Sequence, residues 1–480
     1  MIPIYDSVNH LDKRACEKFM MSEELLMEHA AMAMAREIAS RFKGGKVLIV
    51  CGAGNNGADG LALARLLVIK KGFDVRIFVP FGTGSWLSEK QLERARALSI
   101  TEVNAVEKCD ILVDALLGSG LKGDLEDKAR DVIAAMDAAR AYKIACDIPS
   151  GVNKDGAFEA CPKMDLTITM GAPKIALFND RVKDRAGRVS IADLGIPREA
   201  YAGETDSFLL EMSDLKLPLR KVQDSHKGSY GHLAVALGDK PGAAILSALA
   251  ALRFGAGLTT IVTREKRLNL PLDLLQSPKP VEGTNAIAIG MGLGDTFLDE
   301  ELLEMIGEKA CVIDADALSR AFVPQLLKAD RNVVLTPHPK EFAALLSHCS
   351  LGEYTIANVQ ENRLQLSLKF SLAFPNATLV LKGANVIIAR SGLRFINTLG
   401  SPVLAKGGSG DVLAGMIGSL LAQGYTSLDA AIHANLAHTL AARRYNGADY
   451  SMLPTDLINS LGALADQAAN SGECFLAITE

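Results

Sequence analysis

The chain is 480 residues long, 49% hydrophobic and 22% charged, which is enough to build two or three domains with well-buried cores. Its formal net charge of -5, without a cluster of lysine and arginine, argues against nucleic acid as a partner, and no uncharged apolar run reaches the roughly 18 residues of a membrane-spanning helix. The eight cysteines form no C-x-x-C pair, so packed, reduced thiols are expected rather than disulfides or a metal site.

The first 60 residues predict the start of an α/β domain. Residues 1–6 lack the basic and apolar segments of a signal peptide, so we expect the protein in the cytoplasm, with no membrane partner. Ser22, followed by two glutamates, suits the start of a helix that runs to about residue 42. A β-branched strand at 46–51 then enters a glycine-rich turn and a second helix.

Strand and helix patterns alternate through both halves of the chain. Short apolar runs at 75–79, 111–114 and 143–147 are separated by helical patterns, an order typical of a parallel sheet. The pattern weakens between about 197 and 221, and later strands are expected at 232–238, 286–289, 311–314, 332–336 and 378–382. We therefore predict two α/β domains, a Rossmann-like three-layer α/β/α domain over residues 1–210 and a second α/β domain over residues 211–480.

The glycine-rich turn at 52–60 carries two asparagines and an aspartate, and a turn of this kind by itself only weakly indicates a dinucleotide fold. Asparagine side chains suit a site that holds phosphate and a monovalent cation together. Asn55, Asp114 and Asp147 all follow predicted strands, at the edge where parallel sheets bind ligands. For the two aspartates, capping of the next helix is an open alternative, although Ile-Pro after Asp147 makes a cap less natural and favours chemistry there.

The segments 51–60, 114–121 and 147–152 together resemble the NAD(P)H-hydrate epimerase domain, in order and over nearly the whole first half. The resemblance implies that Asn56, Asp114 and Ser150 hold a potassium ion and that Asp147 is catalytic, touching the reacting nicotinamide end of the substrate. Oxygens of these side-chain types are the ligands that a hard cation prefers. The implied dinucleotide contacts lie on two loops, formed by Asn55, Asn56, Gly57, Ala58 and Asp59 and by Gly118, Ser119, Gly120, Leu121, Lys122, Gly123 and Asp124.

Ala58 departs from that family's pattern, which usually has a second glycine at this position. A Cβ at positive φ costs about 1 kcal/mol. We therefore expect Ala58 at negative φ, already inside the first turn of the helix that follows the loop. His29, on the preceding helix, is expected to be a partly buried packing residue rather than a catalyst.

The stretch 407–411, Gly-Gly-Ser-Gly-Asp, joins an anion cradle to a carboxylate. Small residues let backbone N–H groups converge at a helix start, where the helix dipole favours phosphate. Phosphate repels a neighbouring carboxylate, so Asp411 is better explained as a base that takes a proton from a substrate hydroxyl during phosphoryl transfer. The alternative is an ordinary glycine-rich turn capped by aspartate. No G-x-x-x-x-G-K-[ST] loop occurs in the chain.

Asn397-Thr-Leu-Gly before this stretch, with segments at 226–232, 255–258, 314–318, 336–342 and 381–384, resembles the ribokinase-like branch that contains the NAD(P)H-hydrate dehydratases. The resemblance implies a ribokinase-like fold for residues 211–480, with Asp411 as a substrate-contacting catalytic base. Further implied substrate contacts are Ala243, Gly294 and His338, and the implied nucleotide contacts are Lys382, Gly383, Ala384, Asn385, Val386, Gly408, Ser409 and Gly410. For His338, which lies between two prolines, a structural turn is the alternative. Glu341 is expected to help hold magnesium through water.

These resemblances predict a bifunctional enzyme that repairs hydrated NADH and NADPH (NADHX and NADPHX). It would interconvert their R and S epimers and dehydrate the S epimer, releasing phosphate and, from ADP, AMP. The expected cofactors are potassium, magnesium and ADP, with ATP open as the donor, and we expect a homo-oligomer. The alternative is a ribokinase-like kinase of a small molecule, such as a vitamin precursor, whose first domain is a non-catalytic binding module.

Overall fold

The computed structural model describes residues 1–120, 123–265, 269–465 and 477–478. It divides into an N-terminal unit, made of Pro3–Ser207 with residues 477–478, and a C-terminal unit, made of Met1–Ile2 with residues 208–465. The predicted division at 210 and 211 stays a prediction, and it would assign residues 477–478 to the other domain. Within the described ranges, no helix combines the length and apolarity needed to cross a membrane.

The elements up to residue 209 alternate between strands and helices, as the sequence pattern predicts. The strands are β1 (Ile2–Ile4), β2 (Gly45–Cys51), β3 (Phe73–Phe78), β4 (Thr101–Val103), β5 (Ile111–Ala115), β6 (Tyr142–Cys146), β7 (Leu166–Met170), β8 (Arg188–Ala192) and β9 (Ser207–Leu209). The helices are α1 (Asn9–Phe19), α2 (Glu23–Arg41), α3 (Asn55–Val68), α4 (Trp86–Ala97), α5 (Asp127–Ala138), α6 (Asp180–Ala186) and α7 (Arg198–Tyr201).

The elements after residue 209 repeat this alternation. The strands are β10 (His232–Ala236), β11 (Leu258–Val262), β12 (Leu275–Ser277), β13 (Ala286–Ile289), β14 (Ala310–Ile313), β15 (Val333–Leu335), β16 (Ala377–Leu381), β17 (Val386–Arg390), β18 (Leu393–Asn397) and β19 (Ala477–Ile478). The helices are α8 (Pro241–Arg253), α9 (Asp299–Ile306), α10 (Val323–Leu326), α11 (Pro339–His348), α12 (Ile356–Glu361), α13 (Arg363–Ala373), α14 (Ser409–Ala422), α15 (Ser427–Arg443) and α16 (Pro454–Leu461).

The N-terminal unit has a parallel sheet in the strand order β19-β8-β7-β6-β5-β2-β3-β4. Alternate residues of β2 face opposite sides of it: Val47 and Ile49 join the core formed with α2 and α3, whereas Leu48 and Val50 join the core formed with α5. The predicted three-layer α/β/α arrangement is confirmed. Helix α2 begins where expected, because the Ser22 hydroxyl accepts the N–H of Leu25 at 3.2 Å.

The C-terminal unit has a mixed sheet that contains strands in the order β9-β18-β17-β16-β15-β14-β13-β10-β11-β12. Strands β10 to β16 pair in parallel, while β17 runs antiparallel to both β16 and β18. Helices α8, α14, α15 and α16 share one apolar core with Leu233 and Val235 of β10. Gly415 allows α14 to pack closely on α8, because a Cβ at this position would lie 2.0 Å from the Ser247 carbonyl oxygen.

Candidate active sites

A cavity of about 850 Å³ lies in the N-terminal unit, beside the ends of β2, β5 and β6. Eight of the predicted site residues line it: Asn55, Asn56, Asp59, Gly118, Ser119, Gly120, Asp124 and Asp147. Leu121 and Lys122 lie outside the described residues. The two predicted loops therefore meet at one cavity, as the position of the motifs after their strands implies.

Three predicted contacts, Gly57, Ala58 and Gly123, are not on the cavity wall. Gly57 packs against the start of its own loop, and a Cβ there would lie 1.8 Å from the Gly52 carbonyl oxygen. Ala58 has its side chain fully buried in the core and its N–H bonded to the carbonyl of Gly54. The expectation of a helical backbone at Ala58 is confirmed, but its side chain does not line the cavity.

Two of the predicted cation ligands are in direct contact, and one of them, Asp114, is a buried carboxylate. Both oxygens of Asp114 accept hydrogen bonds from Ser150, from the hydroxyl at 2.5 Å and from the backbone N–H at 2.8 Å. Burial raises the pKa of Asp114 to about 6, against the opposing effect of these hydrogen bonds. Its donors, Ser150 and Leu116, are outside helices, which removes the alternative that Asp114 caps one.

The surroundings of Asp114 fit a monovalent cation. In the described part of the chain, Asp114 forms no ion pair with lysine or arginine, so its negative charge has no cationic side chain to balance it. The Asn56 side chain packs against Gly118, and among the described residues its buried amide nitrogen has no hydrogen-bond partner. The Asp114 carboxylate and the Ser150 hydroxyl are in direct contact, and oxygens of both types are ligands that a hard cation prefers.

Asp147 pairs with a lysine that sequence reasoning missed. One carboxylate oxygen of Asp147 accepts hydrogen bonds from Lys174 Nζ at 2.5 Å, from the Met170 N–H at 3.1 Å and from the Thr169 hydroxyl at 3.2 Å. Lys174 is only 1% exposed, and Asp147 has a φ of +69°, which is unusual for a residue with a side chain. The sequence contained one signal that could have indicated this lysine, because it is a single charged residue in an otherwise apolar stretch after β7.

Two further carboxyl groups line the same cavity, Asp12 of α1 and Asp59 of α3. Burial raises the pKa of Asp59 well above its usual value, and the negative charge of Asp147 adds to the effect. Burial also raises the pKa of Asp12, although a hydrogen bond from the Tyr201 hydroxyl opposes this. Asp12 and Tyr201 have no recognisable motif around them, and nothing in the local sequence indicated them.

In the C-terminal unit, the glycine-rich stretch forms the start of α14. Gly408 precedes the helix at a φ of +96°, in the left-handed region, where a Cβ would also lie 2.6 Å from Pro454. The Ser409 hydroxyl donates to the Leu404 carbonyl at 2.8 Å, and the Ser409 carbonyl bonds to His438 Nε2 at 2.9 Å. The loop is therefore held from two sides. The Ser409 N–H itself donates to the Lys406 carbonyl at 3.3 Å, so an anion at this helix start would have to displace that bond to use this group.

Asp411 lies in the first turn of α14, close to a second charged pair. Burial raises the pKa of Asp411 to about 6, the negative charge of Asp314 adds to this, and Lys382 opposes it. Lys382 Nζ donates to Asp314 at 2.9 Å and lies 3.8 Å from Glu341. Burial lowers the pKa of Lys382, but the carboxylates outweigh that effect and the net direction is upward. A base with a pKa of about 6 is ionised at neutral pH and suits proton abstraction.

A buried arginine holds the predicted nucleotide loop, residues 382–386. Arg363 of α13 donates from one nitrogen to the carbonyls of Leu381, Lys382 and Asn385, each at 3.0 Å. A Cβ on Gly383 would lie 2.1 Å from the guanidinium, so any larger residue there would have to displace the Arg363 side chain. Of the other residues in this loop, Ala384 lies between Gly383 and Asn385, and Val386 is the first residue of β17.

The remaining predicted contacts lie at element ends. His338 caps α11, because Nδ1 accepts the Glu341 N–H at 3.2 Å while Glu341 accepts the His338 N–H at 2.7 Å. His338 therefore has a structural role at the start of α11, which was the alternative prediction, and its side chain is 47% exposed. Ala243 lies in the first turn of α8, and Gly294 has a φ of +55° and donates its N–H to Asp316 at 3.0 Å.

Comparison with known proteins agrees with two such sites on one α/β chain. A family model described as "NAD(P)H-hydrate dehydratase" matches residues 233–462, and one described as "YjeF-related protein N-terminus" matches residues 23–176. The bifunctional NAD(P)H-hydrate repair enzyme of Helicobacter pylori is 42% identical over 476 residues, covering 97% of this chain and 100% of that protein. The enzyme of the same name from Coxiella burnetii is 32% identical, covering 96% and 98%.

The chain therefore belongs to the family of bifunctional NAD(P)H-hydrate repair enzymes. This membership supports the bifunctional prediction over the alternative of a small-molecule kinase with a non-catalytic first domain. Among solved structures, an ADP/ATP-dependent NAD(P)H-hydrate dehydratase from Bacillus subtilis, crystallised with ATP and Mg²⁺, is 28% identical. It covers 54% of this chain and 96% of its own, with a TM-score of 0.47.

Proposed function

We propose that the C-terminal unit dehydrates the S epimers of NADHX and NADPHX at the expense of a nucleotide, and that the N-terminal unit interconverts the R and S epimers. The observation that carries the first activity is the position of Asp411. A carboxyl group with a pKa of about 6 lies one residue after Gly410, in the first turn of a helix, where the helix dipole favours phosphate. An anion cradle alone would not need such a base.

The chemistry assigned to the C-terminal unit has two steps. Asp411 accepts the proton of the 6-hydroxyl while the hydroxyl oxygen forms a bond to the transferred phosphorus, and the nucleotide leaves as AMP when ADP is the donor. The C6–O bond then breaks, its electron pair leaves with phosphate, and loss of a proton from C5 restores the ring double bond. Phosphate is a far better leaving group than hydroxide, which is the physical reason for using a nucleotide.

The amides of Gly408, Ser409 and Gly410 would hold the transferred phosphate, and the loop from Lys382 to Val386 would bind the nucleotide. Ala243, Gly294 and His338 would contact the hydrated dinucleotide. Lys382 is supported as a phosphate contact because its ammonium group is buried beside the cradle, with Asp314 fixing its position at 2.9 Å. Its partner Asp314, which the motif analysis left without a role, would thus set where the positive charge lies.

Magnesium suits this site, because Asp314, Glu341 and Asp411 place three carboxylates around one ammonium group where phosphates must also bind. Magnesium, when bound, neutralises phosphate charge. Within the described ranges, no three histidine, cysteine or acidic side chains converge as a metal cage. This favours a magnesium ion held mostly by water and nucleotide oxygens, with Glu341 acting through water.

In the N-terminal unit, Asn56, Asp114 and Ser150 would hold potassium, which supplies positive charge beside the dinucleotide. The unbalanced carboxylate of Asp114 supports this assignment. Asn55, Asp59, Gly118, Ser119, Gly120 and Asp124 would contact the dinucleotide, and Asp147, fixed by Lys174, would accept a hydrogen bond at its reacting end. A cytoplasmic location and a homo-oligomeric assembly remain predictions from sequence.

The proposed function is tested with chromatographically resolved R and S epimers of NADHX. The protein should interconvert them without nucleotide, and with ADP or ATP plus magnesium it should convert the S epimer to NADH with one phosphate released per NADH formed. The return of dihydronicotinamide absorbance measures the second activity. Consumption of nucleotide with formation of a stable phosphate ester, and no NADH, would instead indicate a kinase.

A further inference from the structure

Asp12 is a cavity-lining carboxyl group to which none of the roles above gives a task. It belongs to α1 and lines the 850 Å³ cavity together with Asp59, Asp147 and Lys174. It also lines an adjoining cavity of about 590 Å³ that shares Asp59 with the first. Because α1 and α3 supply Asp12 and Asp59 from separate elements, the two carboxyl groups face the same space from different sides.

The contacts of Asp12 leave one of its oxygens open. Tyr201 of α7, only 3% exposed, donates its hydroxyl hydrogen to Asp12 Oδ1 at 2.7 Å. Asp12 Oδ2 has no hydrogen-bond partner among the residues that the structure describes. The charged groups that influence Asp12 are Lys174, Asp147 and Glu23, and burial raises the pKa of its carboxyl above the usual range.

Asp147, by contrast, has one of its carboxylate oxygens fully engaged by the protein. That oxygen accepts hydrogen bonds from the Lys174 ammonium group at 2.5 Å and from two further donors. Epimerisation at a carbon that carries a hydroxyl group requires a group that can both donate and accept a proton, so the cavity needs a second acid–base residue.

We propose that Asp12 is a further catalytic residue of the epimerisation, with Tyr201 as the residue that positions it. The inference rests on the proposed function of the N-terminal unit. Asp12 donates a proton to the 6-hydroxyl as the C6–O bond breaks, so the oxygen leaves as water with the bond's electron pair. The lone pair of the ring nitrogen forms a C=N bond, and the resulting cation lies beside the Asp147 carboxylate.

Water then adds to the opposite face of C6, the C=N pair returns to nitrogen, and the released proton passes through solvent water to the Asp12 carboxylate. The substrate regains its formula with the other configuration, Asp12 returns to its starting state, and the sequence needs no oxidant, reductant or nucleotide. The open oxygen of Asp12 serves for proton transfer while Tyr201 fixes the other oxygen.

The first test uses Asp12→Asn, which keeps the size of the side chain and an oxygen that can accept from Tyr201. We expect epimerisation to fall by about 100-fold or more, within the range of general acid–base catalysis. Nucleotide-dependent dehydration of the pure S epimer, measured in the same sample, should stay within twofold of the wild type and reports that the protein is intact. Asp131→Asn, at an exposed carboxylate on α5, is the matched control and should leave both rates unchanged.

The second test uses Tyr201→Phe and the pH dependence of epimerisation. Loss of the hydroxyl removes a hydrogen bond that favours the ionised form of Asp12, so the pH limb that belongs to Asp12 should move to higher pH. A uniform loss of rate at every pH, without a shift, would reduce Tyr201 to a packing role and overturn its assignment.

The proposed epimerase function and the proposed role of Asp12 can be refuted separately. If the wild-type protein does not interconvert resolved epimers, the proposed function of the N-terminal unit is wrong. If the wild type does so and Asp12→Asn stays within twofold of it, the epimerase function stands and Asp12 is not catalytic.

Discussion

Opposite substitutions at two neighbouring positions test how the N-terminal loop is built. Gly57 and Ala58 are both buried in the first turn of α3, yet the structure demands different side chains of them. A Cβ on Gly57 would lie 1.8 Å from the Gly52 carbonyl oxygen, about half of a normal contact distance. The methyl group of Ala58 is instead 0% exposed, within the apolar core.

The magnitudes follow from these environments. Ala58→Gly loses up to about 1 kcal/mol of helix propensity. It also loses about 0.8 kcal/mol from one buried methyl group. The free energy of unfolding of the N-terminal unit should therefore fall by up to about 2 kcal/mol, while epimerisation does not improve. Gly57→Ala should gain helix propensity but displace the loop, and a displacement of about 1 Å can reduce the rate about 100-fold.

The chain's single tryptophan, Trp86, makes the assay specific for one unit. It lies at the start of α4 in the N-terminal unit, so urea unfolding followed by its fluorescence reports that unit. Dehydration of the pure S epimer is the control for an intact C-terminal unit. Faster epimerisation by Ala58→Gly, or full activity of Gly57→Ala, would show that the loop does not have the backbone path described.

Three further outcomes concern the sites themselves. Asp411→Asn should abolish dehydration and leave epimerisation near normal; in the wild type, the dehydration rate should fall as the pH decreases through about 6, because Asp411 then becomes protonated and stops acting as a base. Asp114→Ala should weaken binding of both potassium and dinucleotide, and calorimetry giving equal wild-type dinucleotide affinity with and without potassium would contradict the cation site. Arg363→Lys should raise the KM for nucleotide several-fold, since a lysine cannot reproduce the planar guanidinium that bonds three carbonyls, and an unchanged KM would contradict its positioning role.

Much of the local structure was determined by the sequence alone. The start of α2 at Ser22 and the helical backbone at Ala58 depend on interactions within a few residues. Hydroxyl caps, side-chain clashes at positive φ and strand periodicity act over that range. The glycine-rich motifs therefore predicted both loops, and their resemblance to known families predicted which residues would carry the chemistry.

The partners of the carboxylates at the two candidate sites were decided only by the tertiary structure. Asp147 meets Lys174 across 27 residues, Asp314 meets Lys382 across 68, and Tyr201 reaches Asp12 across 189. No local pattern specifies such pairs, because they depend on strand order and on which helix packs over which strand end. Burial raises the pKa of Asp114 and Asp411 to about 6 for the same reason: desolvation depends on the whole surrounding fold.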